Sequence, residues 1–228
     1  HAFPERPRTW RHRIRRESCR LLIEIGLLSL APPFLSVARL RRILQSTPSL
    51  DAFLRDYAAR PHPQVFGTAH CAHWEIQTCL RLLCPGALPE FGIIYRPLDH
   101  PAADAWVKRT RERFGMKLLS RKEGFAEALR ILRRRGCLGL LFDQNAGLQG
   151  ALTLLFGRVC STTELPGLLA EKFAAEISVF YPRRTDFWRV EFVVAAVAHD
   201  GTAAGITLAL NRWLEQALAG DDRLCASW

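Results

Sequence analysis

The sequence predicts an α/β fold, with a mainly parallel central sheet flanked by helices and a helical extension ahead of it. Three observations carry this expectation. From residue 64 onward, short apolar runs of strand length alternate with stretches of helical period, the pattern of strand–helix–strand units. Residues 137–142 form an uninterrupted apolar run, as in a strand buried on both faces. Ahead of the first such run lie only helical patterns, the longest closed by Pro32-Pro33.

Residues 10–30 space Trp10, Ile14, Leu21, Leu22, Ile25 and Leu28 near helical period, with basic residues mostly elsewhere. Residues 21–40 approach membrane-spanning length, but Glu24, the proline pair and Arg39 interrupt them, so the segment reads as interfacial or packed on the domain behind it. Shorter helices are expected over 34–44 and 50–59. Gln64–Thr68 is the first core strand, followed by a helix over 74–83, and Phe91–Tyr95 is the second strand. A helix over 102–114, a strand over 117–119, a helix over 123–135 with Phe125, Leu129 and Leu132 inward, and the strand over 137–142 come next.

Ser161-Thr162-Thr163-Glu164 has the form of a capping box and predicts a helix from there to about residue 174. Strands over 177–182 and 188–195, turning near Thr185-Asp186, and a helix over 203–218 complete the chain. The expected division is a membrane-associating extension over residues 1–62 and a catalytic domain over 63–228. No internal repeat or low-complexity tract interrupts either part.

The 228 residues are 49% apolar and 24% charged, the balance of a globular chain with a sizeable core. The chain starts at His1 rather than methionine, so a processed or partial chain is expected. Seven scattered cysteines, an odd number without a short repeating spacing, fit small buried thiols in a reducing compartment. A zinc site would have to draw on His70, Cys71, His73, Cys79 and Cys84. No Cys-x-x-Cys pair supports it, and no metal is expected.

The formal net charge is +10. Seven arginines between Arg6 and Arg20 surround Trp10, a composition suited to an anionic membrane surface. A second basic concentration over residues 108–135 suits an acidic carrier protein, or else is the solvated side of two helices. Nucleic acid is not expected as a partner, because no zinc-finger, RNA-recognition or helix-turn-helix pattern accompanies the charge.

The chemistry concentrates in Ala69-His70-Cys71-Ala72-His73-Trp74-Glu75. A neutral imidazole can take a proton from a hydroxyl near pH 7, and a carboxylate on its other nitrogen fixes the tautomer. His70 is the expected base in a strand-to-helix turn, with Glu75 as the orienting carboxylate in the first helical turn. His73 is a rival base. Asp143 ends a buried strand, where ligands collect in an open α/β sheet, and orients an arginine or His70 or caps the turn with Asn145 and Gly147. Trp74 and Phe156 read as core, and Thr162 and Thr163 as caps. No Gly-x-Ser-x-Gly elbow is present.

This string resembles the Gly-His-Phe-Gly-Asn-Trp-Glu pattern of the bacterial lysophospholipid acyltransferase superfamily, within it the lipid A biosynthesis (late) acyltransferases of the lauroyl/myristoyl type. Ile94-Tyr95-Arg96-Pro97-Leu98, Arg111-Glu112-Arg113-Phe114-Gly115, Leu141-Phe142-Asp143-Gln144 and Leu155-Phe156-Gly157-Arg158-Val159-Cys160-Ser161-Thr162 are similar to the family's later blocks, in the same order. Ala69, Cys71, Ala72 and His73 depart from the pattern, two of them replacing glycines. Residues 223–228 only loosely match the family's Trp/Arg-rich close.

The resemblance implies transfer of a fatty acyl chain from acyl carrier protein to a hydroxyl of a lipid A precursor, at the cytoplasmic face of the inner membrane, without a cofactor. It casts His70 and Glu75 as catalytic, and Arg96, Arg111, Asp143 and Arg158 as substrate-binding. Another lipid acceptor, or a non-catalytic protein that binds membrane and carrier on the same fold, is the alternative.

Overall fold

The computed structural model describes residues 3–84, 89–121 and 123–228. The N-terminal part contains α1 (Arg8–Leu30), α2 (Val37–Ile43), β1 (Leu44–Gln45) and α3 (Pro48–Ala59). Then follow β2 (Gln64–Thr68), β3 (Phe91–Tyr95), α4 (Pro101–Arg111), β4 (Lys117–Ser120), α5 (Phe125–Arg133) and β5 (Cys137–Leu141). A hairpin of β6 (Ala151–Leu155) and β7 (Arg158–Thr162), α6 (Leu165–Phe173), β8 (Glu176–Asp186), β9 (Arg189–Ala196), α7 (Ala203–Gly220) and α8 (Asp222–Ser227) complete it.

Seven strands form one sheet in the order β1-β9-β8-β2-β5-β3-β4. Every neighbouring pair is parallel except β8–β9. The expected α/β class and mainly parallel sheet are therefore the observed ones. Although β1 belongs to the N-terminal part, it extends this sheet by pairing with β9.

Alternating side chains of the central strands enter two cores, one on each face. Val65, Leu138 and Val179 pack with α5, α6 and α7, while Phe66, Cys137 and Phe180 pack with α1, α2, α3 and residues 74–82. Phe66 stacks on Phe91 with centroids 5.7 Å apart, and Phe180 on Phe192 at 5.4 Å. The middle strands are thereby covered on both sides, which is why Val65-Phe66-Gly67 of β2 and Cys137–Leu141 of β5 read as unbroken apolar runs rather than alternating.

Four local expectations are corrected. Trp74–Leu82 winds as a 3-10 helix, enclosed all round over residues 76–80 and tied to β2 by the bond from Gln77 Nε2 to Thr68 Oγ1 (2.8 Å). Ser161 and Thr162 belong to β7 rather than to a capping box, since the Thr162 hydroxyl is engaged by Thr153 (2.7 Å) and Asn211 (2.9 Å). The β8–β9 turn lies at Phe187-Trp188, where Asp186 accepts the Phe187 N–H (2.7 Å) and Trp188 has a left-handed φ of 48°. On α1, Leu22 points outward at 72% exposure while Glu24 is buried.

That inversion gives α1 an outward face that is basic in its first half, with Arg8, Arg15 and Arg16, and apolar in its second, with Leu22, Ile23, Leu27 and Leu30. Inside, the Glu24 carboxylate accepts from the Arg184 guanidinium (2.9 Å to each oxygen), the Trp188 backbone N–H (3.1 Å) and His73 Nε2 (3.2 Å). Among the described residues, no helix is long and apolar enough to cross a membrane.

Candidate active site

Strands β2 and β5 run side by side in parallel, with Thr68 opposite Leu141. Two residues beyond those partners stand His70 and Asp143, so the ladder brings together two side chains 73 residues apart in sequence. His70 Nδ1 lies 2.7 Å from Asp143 Oδ1, and the His70 backbone N–H donates to Oδ2 at 2.8 Å. The Trp228 indole N–H donates to the same Oδ2 at 3.0 Å. Asp143 is 3% exposed at its side chain, His70 25%.

An ionised carboxylate only accepts, so this contact requires the proton on Nδ1. Nε2 is left as the ring's free lone pair, the state a general base needs.

Glu75, expected on the His70 ring, pairs instead with the Arg111 guanidinium. The 3-10 turn starts at Trp74, whose ring stands edge-on to His70 (centroids 5.0 Å) and under the Arg111 guanidinium (5.9 Å), so Trp74 rather than Glu75 packs on the His70 ring. Burial raises the Glu75 pKa above the ordinary carboxylate value, and the opposing charges of Arg111 and His70 offset only part of that rise.

His70, Trp74, Glu75 and Arg111 share the wall of one cavity of about 490 Å³, within the range of roughly 300–1,000 Å³ usual for small-molecule sites. Ile93, Ile94, Leu118, Leu140 and Leu165 supply apolar lining, and Arg96 and Arg121 add two more guanidinium groups. Two of the expected arginines, Arg96 and Arg111, thus meet at the site. Arg158 is not part of the cavity wall; it begins β7 beside the hairpin turn, exposed.

The rival base is placed elsewhere. His73 is 1% exposed and turned away to Glu24, and burial lowers its pKa. Cys71, beside the base, is also enclosed, and burial pushes its thiol pKa up, which keeps it from acting as a thiolate. All seven cysteines are free. The histidines and cysteines considered for zinc do not converge; among the described residues the one set close enough to share an ion is Asp56, His62 and Glu176, without a cysteine.

Ala72 stands where the acyltransferase pattern has its second glycine, and its φ is +49°. The turn therefore uses the left-handed conformation that a glycine adopts freely, at a cost to alanine of about 1–2 kcal/mol. Trp228 and Arg121 escaped the reading of the sequence. The meeting of His70 and Asp143, one of the roles open to Asp143 in the sequence, had a signal: Gln64–Thr68 and Cys137–Leu141 are two five-residue strands with apolar centres, each followed two residues later by a titratable side chain.

Comparison with curated proteins yields no match. The family model described as bacterial lipid A biosynthesis acyltransferase matches residues 2–221, nearly the whole chain. A parallel sheet with a histidine-lined cavity beyond the ends of its strands, spanned by this match, leads to one assignment: the chain belongs to the bacterial lipid A biosynthesis acyltransferase family.

Proposed function

We propose that this acyltransferase moves a fatty acyl chain from the thioester of acyl carrier protein to a hydroxyl of a lipid A precursor, with His70 as general base. The observation that carries the reading is the His70 imidazole, oriented through Nδ1 by a buried carboxylate, in the wall of a cavity both apolar and rich in arginine. Such a cavity suits a ligand that is part hydrocarbon and part phosphate. Guanidinium groups bind phosphate oxygens through paired hydrogen bonds, and Arg96, Arg111 and Arg121 are the candidates.

In the proposed reaction, Nε2 of His70 takes the acceptor hydroxyl proton as the oxygen attacks the thioester carbonyl carbon. The tetrahedral intermediate collapses by breaking the C–S bond, and the imidazolium returns its proton to the departing thiolate. The free thiol and the new ester leave; no enzyme-bound acyl group or cofactor enters the balance. Glu75 holds Arg111 in the wall and adds a negative charge near the imidazolium. Arg111 is positioned to stabilise the oxyanion.

The outward face of α1, basic and then apolar, fits a chain seated on an anionic leaflet, which for this reaction is the cytoplasmic face of the inner membrane. The remaining basic residues of α4 and α5, such as Lys108 and Arg133, fit an acidic carrier.

The test is acyl transfer from radiolabelled acyl carrier protein to a panel containing a lipid A precursor and lysophospholipids, comparing wild type with His70→Ala. Transfer to the lipid A precursor, lost in the folded variant, supports the reading. Transfer only to a lysophospholipid replaces the acceptor, and an unchanged rate in His70→Ala overturns the mechanism.

A further inference from the structure

The Asp143 carboxylate has three donors and a specific division between them. Oδ1 takes the imidazole N–H of His70, and Oδ2 takes both the His70 backbone N–H and the Trp228 indole N–H, at 2.7, 2.8 and 3.0 Å. Two bonds to one residue fix the rotation of that residue's side chain relative to its backbone. The third comes from a different part of the chain and fixes the carboxylate plane itself.

Trp228 follows α8, whose N-terminus is capped by Asp221, accepting from the backbone N–H groups of Arg223 (2.8 Å) and Leu224 (3.1 Å). Asp222 of α8 accepts in turn from α1, through Trp10 Nε1 (2.9 Å) and Arg13 (2.5 Å). Phe156, at the hairpin turn, packs on Trp228 with centroids 6.0 Å apart. The indole is thus held from two sides over a carboxylate that is almost wholly buried. The family match ends at residue 221, so it includes neither α8 nor Trp228.

We propose that Asp143, clamped by the indole of Trp228, is the positioning residue that holds His70 in the tautomer of a base, which makes α8 part of the active site. This rests on the acyl-transfer reading for its kinetic consequences, though not for its structural one. A carboxylate can only accept, so it selects the Nδ1–H tautomer and stabilises the imidazolium that forms during attack. An asparagine at the same place can turn its NH2 toward Nδ1 and select the opposite tautomer, in which Nε2 carries the proton and cannot serve as base.

The experiment uses the full chain and two readouts. The first is 15N imidazole NMR, with the His70 signal identified by its loss in His70→Gln. Wild type is expected to show Nδ1 protonated and Nε2 unprotonated, Asp143→Asn a loss of that tautomer, and Trp228→Phe a mixture. The second is steady-state transfer: Asp143→Asn should lose kcat by about 10²- to 10⁴-fold with KM within about threefold, as for an interaction expressed in the transition state. Trp228→Phe should lose about fivefold, the value of one hydrogen bond.

Wild type with Nε2 protonated, or Asp143→Asn with unchanged kcat or with only a raised KM, overturns the proposal. Wild type with the expected tautomer but no transfer to any acceptor leaves the positioning role standing and removes the acyl-transfer reading, so the two failures are distinguishable. Circular dichroism on each variant separates loss of fold from loss of tautomer; if Asp143→Asn does not fold, Trp228→Phe decides.

Discussion

Replacing Glu24 with glutamine should lower folding stability by about 3 kcal/mol, because it leaves a guanidinium without its counter-charge. The carboxylate is 7% exposed and accepts from Arg184, the Trp188 backbone and His73. Removing one member of a fully enclosed ion pair costs roughly 3–5 kcal/mol. Two features put this case at the lower end. The Arg184 side chain keeps 22% of its exposure, so water screens part of its charge, and glutamine retains one oxygen as acceptor. Urea denaturation at pH 7.5 measures the change as a lower midpoint with the slope preserved. Adding Arg184→Met should recover most of the loss, since apolar replacement of both partners is close to neutral. A loss under about 1 kcal/mol in Glu24→Gln, or no recovery in the double variant, would refute the idea that Glu24 compensates a sequestered guanidinium.

Other perturbations test the surroundings of the site. Burial lowers the His73 pKa below its ordinary 6.5, so just below that pH the unfolded chain binds a proton that the folded chain refuses. Stability should therefore fall as pH drops below about 6.5, and His73→Gln should flatten that part of a urea-midpoint-against-pH curve. The lowered Glu24 pKa adds a second loss only below its ordinary 4.5. Gly167→Ala would set a methyl against the Ala203 carbonyl oxygen where α6 meets α7; a loss of about 1–3 kcal/mol is expected by thermal or urea unfolding. Ala72→Gly relieves left-handed strain of about 1–2 kcal/mol, offset by about 0.8 kcal/mol for the buried methyl and about 0.5–1 kcal/mol of added chain freedom. The net change in urea stability should stay within about 1 kcal/mol, despite the position being buried.

The strands most legible in the sequence were those in the middle of the sheet. Gln64–Thr68, buried along its whole length, and Phe91–Tyr95, buried at its start and half-buried beyond, match their expected bounds, because each carries a short apolar centre of strand length. The β6–β7 hairpin escaped notice for the opposite reason: Leu152, Leu154 and Val159 point outward, while Thr153 and Thr162 point inward to Asn211, reversing the usual sense of the pattern. On α1, spacing located the helix but assigned Leu22 to the wrong side, since a buried glutamate looks like a surface residue until its arginine is known. At the site, the base was visible from its motif, while its acid partner Asp143 was visible only as one of three open roles, orienting an arginine or His70 or capping a turn. A spacing of five residues favours Glu75, but a hydrogen bond to Nδ1 depends on which strands are neighbours, and that is decided by the whole sheet.

The pairing of Thr68 with Leu141 has a consequence for how the site comes into being. Its two chemical groups stand two residues past the end of a ladder of backbone bonds, so a shift of one step along that ladder would displace one against the other by about 3.3 Å and turn it to the opposite face. No fragment of the chain that lacks either strand contains half an active site in a useful sense; it contains none. Two distant segments must find each other in register before a proton can be moved, and catalytic competence is then a marker that the central sheet has closed.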